Sequence, residues 1–220
     1  IWVSLGFAAI GLLVMTDVLP LTLFGEALFS GIDTFALIAI PLFILTGDVL
    51  VRTGLSRKFL DVAEALTQFA KGGFGSATVL VCGMFAAISG SDAAGAAAVG
   101  RMTINRLVES GYPRPYACAL VAAGACTGIL IPPSIAYIII GLVLGISAST
   151  LFLAAVIPGL AILLSILATN IIMNRLYGWE GGGNVSAGEY LTNLGKALKS
   201  GWYAFIVPGI IFFGIFSGRM

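Results

Sequence analysis

Long apolar runs, separated by shorter polar stretches, dominate the pattern of residues along this chain. These runs cover residues 1–16, 34–51, 116–146, 149–174 and 202–217. A helix needs about 20 mostly apolar residues to cross the roughly 30 Å hydrocarbon core of a bilayer, and most of these runs approach or exceed that length. The pattern therefore predicts an all-α, polytopic transmembrane protein.

Residues 55–70 show a different pattern, because apolar residues recur on one helical face and charged residues on the other. The apolar face consists of Leu55, Phe59, Val62, Leu66 and Phe69. This spacing predicts an amphipathic helix, which lies at the membrane surface or packs against another helix. A mixed stretch is expected over residues 17–33, and a short helix near 189–199 within a hydrophilic connector.

The composition agrees with a lipid environment and excludes several classes of function. Hydrophobic residues make up 59% of the chain and charged residues 10%, whereas a soluble domain carries about 25% charged residues. A net charge of +1 provides no basic surface for nucleic acid. The chain has no histidine, and its three cysteines form no CxxC pair. We therefore predict no disulfide framework, no cofactor and no metal site other than one for a coupling ion such as Na⁺, and no enzymatic activity.

The distribution of basic residues predicts which loops face the cytoplasm, because lysine and arginine favour that side. They cluster within residues 52–71, 101–114 and 175–199. Placing all three clusters inside requires the segment 72–100 to begin and end on the same side of the membrane. Since its roughly 29 residues are too few for two full crossings, we predict a re-entrant hairpin of two half-helices.

The tip of this hairpin falls in the sequence FAAISGSDAAGAAAVG, where Ser89, Gly90, Ser91 and Asp92 interrupt a run of alanine. Non-helical backbone at membrane depth is tolerated only where protein buries it or where it lines a water-filled cavity. The hydroxyls and freed backbone groups of the tip therefore predict a binding site. Asp92 is either an ion ligand or the cap of the second half-helix. A purely structural alternative is that the small residues allow close helix packing.

A second break lies in the sequence CTGILIPPSIAYIIIG. Proline donates no backbone hydrogen bond and clashes with a continuing helix, so carbonyl groups before the pair lose their partners and a new half-helix starts after it. The break contributes six candidate site residues: Thr127, Gly128, Ile131, Pro132, Pro133 and Ser134. The alternative is a simple proline kink.

Two broken elements of this kind form the usual substrate and ion site of secondary transporters. Freed oxygen atoms suit a small hard cation, and the positive N-termini of half-helices suit a carboxylate. The pattern therefore predicts cation-coupled uptake of an organic anion. Two other classes stay open: a channel or an anion/sodium symporter that needs no binding protein, and a non-transporting scaffold subunit of a membrane complex.

The residues that carry these features also resemble a known family. The segments IPLFILTGDVLVRTGL, GGFGSATVLVCGMFAAISGSDAAGAAAVG, GILIPPSIAYIIIGLVLGIS and LFLAAVIPGL occur in that order. Together they resemble the large membrane subunit of tripartite ATP-independent periplasmic (TRAP) transporters, over residues 31–220. One departure is the position of the aspartate, because the family pattern places a small residue at 92 and often an aspartate at 95.

The resemblance implies sodium-driven uptake of a carboxylate-bearing organic acid by an elevator mechanism in the bacterial inner membrane. It also implies two protein partners, a periplasmic substrate-binding protein and a small membrane subunit. Residues 89–92 and 127–134 are then the cradle for sodium and substrate. The fold implied is the first of two inverted repeats, with the start of the second.

This reading divides the chain into five parts. Residues 1–51 form scaffold helices, 52–71 an amphipathic arm, 72–148 a transport body, 149–200 a transmembrane helix with its cytoplasmic connector, and 201–220 the first, truncated helix of the second repeat. The transport body contains the hairpin (72–110) and the broken helix (115–146). Glycine is permissive in its backbone dihedrals, so the hinges of the arm are expected at Gly54, Gly72 and Gly73.

The topology can be tested by thiol labelling of single cysteines placed at Arg57, Arg106 and Lys196. All three are expected to react with an impermeant reagent in inside-out vesicles and to stay unlabelled in intact cells, because basic loops stay in the cytoplasm. Strong labelling at position 106 from the periplasmic side would contradict the re-entrant hairpin and indicate an ordinary transmembrane span.

Overall fold

The computed structural model describes residues 2–16, 21–70, 72–181 and 187–217, and its regular secondary structure there is helical throughout. The chain divides into two compact units, residues 1–40 and 41–220. The helices are α1 (Trp2–Thr16), α2 (Leu21–Ile32), α3 (Phe35–Arg52), α4 (Leu55–Thr67), α5 (Gly73–Ser89), α6 (Asp92–Glu109), α7 (Arg114–Ala125), α8 (Thr127–Leu130), α9 (Ile135–Leu144), α10 (Ala148–Tyr177), α11 (Ala187–Gly201) and α12 (Ile206–Phe216). A 3₁₀ turn, Trp202–Phe205, joins α11 to α12.

Two helical segments within the described residues are long and apolar enough to cross a membrane, Arg114–Leu144 and Ala148–Tyr177. The count rises to four if two bent pairs each form one span. The first pair is Phe24–Ile32 with Leu37–Arg52, and the second is Gly188–Phe205 with Pro208–Gly214, which meet at 50°. The expected all-α membrane fold is therefore confirmed.

The first unit contains α1, α2 and the start of α3. Helix α2 occupies much of the stretch for which the sequence indicated only mixed character. Its residues LTLFGEALFSGI are mostly apolar, and their single carboxylate, Glu26, is exposed, so nothing in this segment opposes a helix.

Helix α5 is the centre of the second unit. Its side chains at Val79, Val81, Phe85 and Ile88 are fully buried, because α4, α6, α7, α8 and α10 all pack around it.

Helix α6 returns beside α5 after a two-residue turn. The guanidinium of Arg106, in the last turn of α6, lies 4.3 Å from the ring centre of Phe74 at the start of α5. The two helices therefore form the antiparallel hairpin that the sequence predicts.

The segment after the hairpin is a helix interrupted at residues 131–134. The N–H of Ile131 makes the last regular helical bond, to the carbonyl of Thr127 at 2.8 Å. Pro132 and Pro133 follow, joined by a cis peptide bond, and the helix resumes at Ile135. Since neither proline has an N–H group, the ladder stops where the sequence places the break.

Helix α4 resolves one alternative left open by the sequence, because it packs between α5 and α11 rather than lying alone at a surface. Of its predicted apolar face, Phe59 and Val62 are buried, whereas Leu66 and Phe69 are exposed, because the buried surface also takes in Leu60 and Ala63. Phe59 makes an edge contact with Phe205 at 5.5 Å between ring centres. On its polar side, Glu64 pairs with Arg106 of α6 at 2.7 Å. The amphipathic helix is therefore bound to the hairpin on two sides.

Candidate functional site

The tip of the hairpin is a compact turn made by Ser89, Gly90 and Ser91. Gly90 has a φ of +59°, which favours glycine, and Ser91 is extended. The N–H of Ser91 donates to the Ser89 hydroxyl oxygen at 3.4 Å, and that hydroxyl donates to the Ser91 carbonyl at 3.3 Å. Ser89 and Gly90 are buried, whereas Ser91 is half-buried, so the turn has an enclosed side and an accessible one.

This turn meets the Pro-Pro break directly. The N–H of Ile135, the first residue of α9, donates to the Gly90 carbonyl at 3.4 Å. A methyl group added at Gly90 would lie 2.9 Å from the carbonyl oxygen of Pro133, which is closer than a carbon can approach without displacement. The structure therefore brings together two breaks that are about 40 residues apart in the sequence.

A second glycine permits the same approach from the other side. A methyl group at Gly128 of α8 would lie 2.9 Å from the backbone nitrogen of Asp92. The start of α6 therefore packs against the backbone of α8. Gly47 of α3 also approaches the tip, since a methyl group there would lie 3.2 Å from the Cβ of Ser89.

The predicted residues of the Pro-Pro break lie at this contact, and most are buried. Ser134 is fully buried, and its hydroxyl makes no hydrogen bond to any residue that the structure describes. The Thr127 hydroxyl is also buried and donates to the Gly124 carbonyl at 2.7 Å. Ile131, Pro132 and Pro133 are buried beside them. The arrangement places hydroxyl and carbonyl oxygens, the kind of group that binds a hard cation, close together among buried residues.

One of the two roles predicted for Asp92, the cap of the second half-helix, is wrong. The cap is Ser91, whose hydroxyl oxygen accepts from the N–H of Ala94 at 3.4 Å. Asp92 is instead the first residue of α6 and is half-exposed. A carboxylate in the first turn of a helix interacts favourably with the helix dipole, and its role as an ion ligand stays a prediction.

The three expected hinge glycines have unlike surroundings. Gly54, with a φ of +75°, has open space around it. Gly72, with a φ of +79°, lies against the Asn174 side chain, and a methyl group at Gly73 would lie 2.7 Å from the Thr67 carbonyl oxygen. The Thr67 hydroxyl also donates to the Gly73 carbonyl at 2.7 Å. Hinge motion stays a prediction, and the packing favours Gly54 over Gly72 and Gly73 as its position.

The structure also shows a polar cluster at the base of the hairpin that the sequence reading missed. The carboxylate of Glu180, which follows α10, accepts hydrogen bonds from the N–H groups of Phe74 at 2.8 Å and Gly75 at 3.4 Å. It also accepts from the hydroxyl of Tyr112 at 3.0 Å. Glu180 therefore satisfies N–H groups that the first turn of α5 would otherwise leave unpaired.

Two asparagines of α10 complete this cluster. The amide of Asn174 exchanges hydrogen bonds with the backbone of Glu180, at 2.7 and 2.8 Å. The amide of Asn170 donates to the Gly72 carbonyl at 3.3 Å and to the Ser76 hydroxyl at 3.1 Å. Both asparagines are buried. Two amides four residues apart near the end of an apolar helix were the available sequence signal for this contact.

Tyr112 belongs to the same cluster and stays protonated within it. Burial raises the pKa of the Tyr112 phenol, and the negative charge of Glu180 and the hydrogen bond to it raise that pKa further. The phenol therefore remains a hydrogen-bond donor to Glu180 at any physiological pH.

Replacement of Gly90 tests the contact between the two breaks. Gly90→Ala is expected to lower the free energy of unfolding by more than the roughly 1 kcal/mol of an unfavourable φ alone, because the new methyl group also meets the Pro133 carbonyl oxygen. Gly145→Ala is the matched control, since Gly145 has a similar φ of +67° and open space. Thermal unfolding of the full-length protein in detergent measures both. Equal losses of stability in the two variants would mean that the tip does not pack closely against the Pro-Pro break.

Replacement of Glu180 tests the cluster at the hairpin base. Glu180→Ala is expected to cost about 1.5–3 kcal/mol of stability, the usual contribution of hydrogen bonds to a charged group. Glu180→Gln is expected to cost less, because one carbonyl oxygen remains for the N–H of Phe74. Thermal unfolding is again the measurement, with Glu109→Gln as the control at an exposed carboxylate. If all three variants unfold at the wild-type temperature, Glu180 is not an anchor.

Comparison with known proteins supports the family indicated by these features. The whole chain, residues 1–220, matches the family model described as "Tripartite ATP-independent periplasmic transporter, DctM component". Similar proteins include the isethionate TRAP transporter permease protein DctMQ of Oleidesulfovibrio alaskensis, which is 36% identical over 99% of this chain and 34% of its own length. The C4-dicarboxylate TRAP transporter large permease protein DctM of Pseudomonas aeruginosa is 37% identical over 87% of this chain and 44% of its own.

The sialic acid TRAP transporter large permease protein SiaM of Vibrio cholerae is 31% identical over 98% of this chain and 50% of its own length. The chain thus spans a third to a half of the length of these relatives. All of them are transporter permeases rather than enzymes. Because the family model covers every residue, the chain belongs to the DctM component family of tripartite ATP-independent periplasmic transporters.

Proposed function

We propose that the full-length protein carries out sodium-driven secondary uptake of an organic acid across the bacterial inner membrane. In this proposal a periplasmic substrate-binding protein delivers the acid, a small membrane subunit completes the complex, and the site moves by an elevator mechanism. The observation that supports it best is the contact of the hairpin tip with the Pro-Pro break, where Ile135 donates to Gly90 at 3.4 Å.

The oxygen atoms at this contact support a small hard cation as the coupling ion. The Ser134 hydroxyl is buried without a described partner, and a buried polar group without a hydrogen bond is costly. The carbonyls of Gly128 and Ile129 lose the helical donors that residues 132 and 133 would supply, because both are proline. Oxygen donors of this kind are the ligands that hard cations prefer, so a sodium ion would satisfy them.

The two half-helices that start here support an acidic substrate. Helix α6 starts at Asp92 and α9 at Ile135, and the two starts are linked through Gly90 and Gly128. Helix N-termini present free N–H groups and a partial positive charge, which suit an anion. The three relatives described above are named as transporters of isethionate, C4-dicarboxylates and sialic acid, and all of these compounds are anionic. An organic acid, with a carboxylate as the first choice, is therefore the proposed class.

The packing around the hairpin supports movement of the site as one body. The tip is interlocked with α8 and α9 through Gly128 and Gly90, and α4 is joined to α6 through the Glu64–Arg106 pair at 2.7 Å. Alternating access in secondary transporters is largely a rigid-body displacement of one part of the protein against another, and in an elevator the site moves with the displaced part. In this proposal α4 travels with the hairpin, and the open backbone at Gly54 absorbs the motion.

Transport by the reconstituted full-length protein tests the proposal. Proteoliposomes that contain both membrane subunits are given radiolabelled C4-dicarboxylate, sialic acid or isethionate, with and without the binding protein and with and without an inward sodium gradient. Uptake of at least one acid is expected only when both the binding protein and the gradient are present. Uptake that needs no binding protein would favour the simpler symporter, and accumulation without sodium would remove the proposed coupling ion.

The Ser134→Ala variant tests the ion site in the same assay. The substitution removes a hydroxyl that has no described protein partner, so the protein is expected to fold normally. The half-saturating sodium concentration is expected to rise about tenfold, the effect of one lost contact to a charge. If the variant no longer couples one sodium ion to transport, the accumulation ratio of the acid is expected to fall by about 50-fold at a membrane potential of about 100 mV. The reason is that each charge entering with the potential contributes about 2.3 kcal/mol to the driving force.

The control is Ser165→Ala on α10, an exposed serine whose hydroxyl donates to the Ala161 carbonyl at 2.9 Å. Ser91→Ala, at the accessible side of the tip, is expected to weaken sodium dependence in the same direction. Unchanged sodium affinity and stoichiometry in both the Ser91 and Ser134 variants would place the ion elsewhere.

A further inference from the structure

A cavity of about 630 Å³ lies between the C-terminal half of α3, the start of α4 and the first half of α6. At one end it is lined by Gly47 and Ala94, which adjoin the hairpin tip, since Gly47 packs against Ser89. At the other end it is lined by Arg52, Arg57 and Arg101. Helices α3 and α6 both run from membrane depth toward the predicted cytoplasmic side, so the arginines mark the cytoplasmic end of this α3–α4–α6 cavity.

The charges at that end are unequally compensated. Arg52 pairs with Asp48, the one acidic residue of the lining, at 2.6 Å. Arg57 and Arg101 are exposed and make no ion pair with any residue that the structure describes. Arg106, one turn beyond Arg101, is by contrast held by Glu64. The lining therefore carries a surplus of two positive charges, both on side chains that are free to reorient.

The remaining lining residues leave room beside these charges. Ala97 and Ala98 of α6 present small side chains, and Phe85 and Met102 provide apolar wall. A cleft with low-dielectric walls and charges of one sign concentrates ions of the opposite sign. The guanidinium group also matches planar acid groups, because it can donate two parallel hydrogen bonds. The cavity thus suits an organic anion that has an acid group at one end.

We propose that the α3–α4–α6 cavity is an anion-binding vestibule on the cytoplasmic side of the transport site, in which Arg57 and Arg101 receive the acid group of the substrate. This inference rests on the proposed function for the identity of the anion, and on the geometry of the cavity for its position. Phosphate in a lipid headgroup has the same charge chemistry, so the experiment separates the two sources.

The first experiment needs no knowledge of the substrate. Ala97, an exposed cavity residue, is replaced by cysteine in the full-length protein from which the native cysteines have been removed. Inside-out vesicles are treated with two thiosulfonate reagents of similar size, one bearing a sulfonate and the other a quaternary ammonium group. After correction for their rates with a free thiol, the anionic reagent is expected to react about tenfold faster or more.

The variants then assign this preference to the arginines. In the Ala97→Cys background, Arg57→Gln and Arg101→Gln together are expected to reduce the preference to about twofold or less, because the surplus charge is gone. The matched control is Lys199→Gln, which removes an exposed positive charge from α11, outside the cavity. Three results would each overturn the proposed vestibule. They are equal reactivity of the two reagents in the parent protein, no labelling by either reagent, and the same loss of preference in the Lys199→Gln control.

The second experiment identifies the anion. Proteoliposomes with and without anionic phospholipid are used to measure substrate exchange from the cytoplasmic face and uptake from the periplasmic face. In the double arginine variant the half-saturating concentration at the cytoplasmic face is expected to rise about fivefold, the effect of lost exposed ion pairs. The Lys199→Gln variant, which changes an exposed charge outside the cavity, is the control in which exchange and uptake are both expected to persist.

The two proposals fail in different ways in this assay. Wild-type protein that takes up no acid, yet shows the anionic labelling preference, would overturn the proposed function alone. Normal sodium-driven uptake with an unchanged cytoplasmic half-saturating concentration would overturn the substrate vestibule alone. If the arginine variants change only the dependence on anionic phospholipid, the cavity holds a lipid headgroup and the substrate vestibule is wrong.

Discussion

The close approach of the hairpin tip to the Pro-Pro break is the contact on which the candidate site depends. It exists because residues 90 and 128 have no side chain, so that the backbone of one broken element can lie against the backbone of the other. Each break exposes polar backbone that a bilayer cannot satisfy. Joining the breaks through the Gly90 carbonyl and the Ile135 N–H gives part of that backbone a partner. The remaining oxygen atoms lie close together at this contact.

The opposite end of the hairpin is fixed by a different kind of contact. The Glu180 carboxylate accepts from two N–H groups in the first turn of α5, and Asn174 holds the backbone of Glu180. Helix α5 is thus bound at its start by charge-assisted hydrogen bonds and enclosed along its length by apolar packing. This fixes its position relative to α10 and gives the tip at its other end a firm support.

Some charged side chains in the second unit form ion pairs among the described residues, and others do not. Glu64 and Arg106 tie α4 to α6, and Asp48 neutralises Arg52. Arg57 and Arg101, which have no described ion pair, line the same cavity. A chain with only 10% charged residues therefore uses some of its charges to join helices, while Arg57 and Arg101 stay exposed. The cavity extends from those arginines to Gly47 and Ala94, which adjoin the hairpin tip.

The all-α membrane fold, the hairpin and the break at Pro132 and Pro133 could all be predicted from the order of the residues. This is possible because hydropathy, basic loops and missing N–H groups act locally. Three contacts could not be predicted in this way: Gly90 lies against Pro133, α4 packs between α5 and α11, and Glu180 binds a helix about 105 residues before it. Such contacts depend on which surfaces meet after folding, and no periodicity along the chain records that.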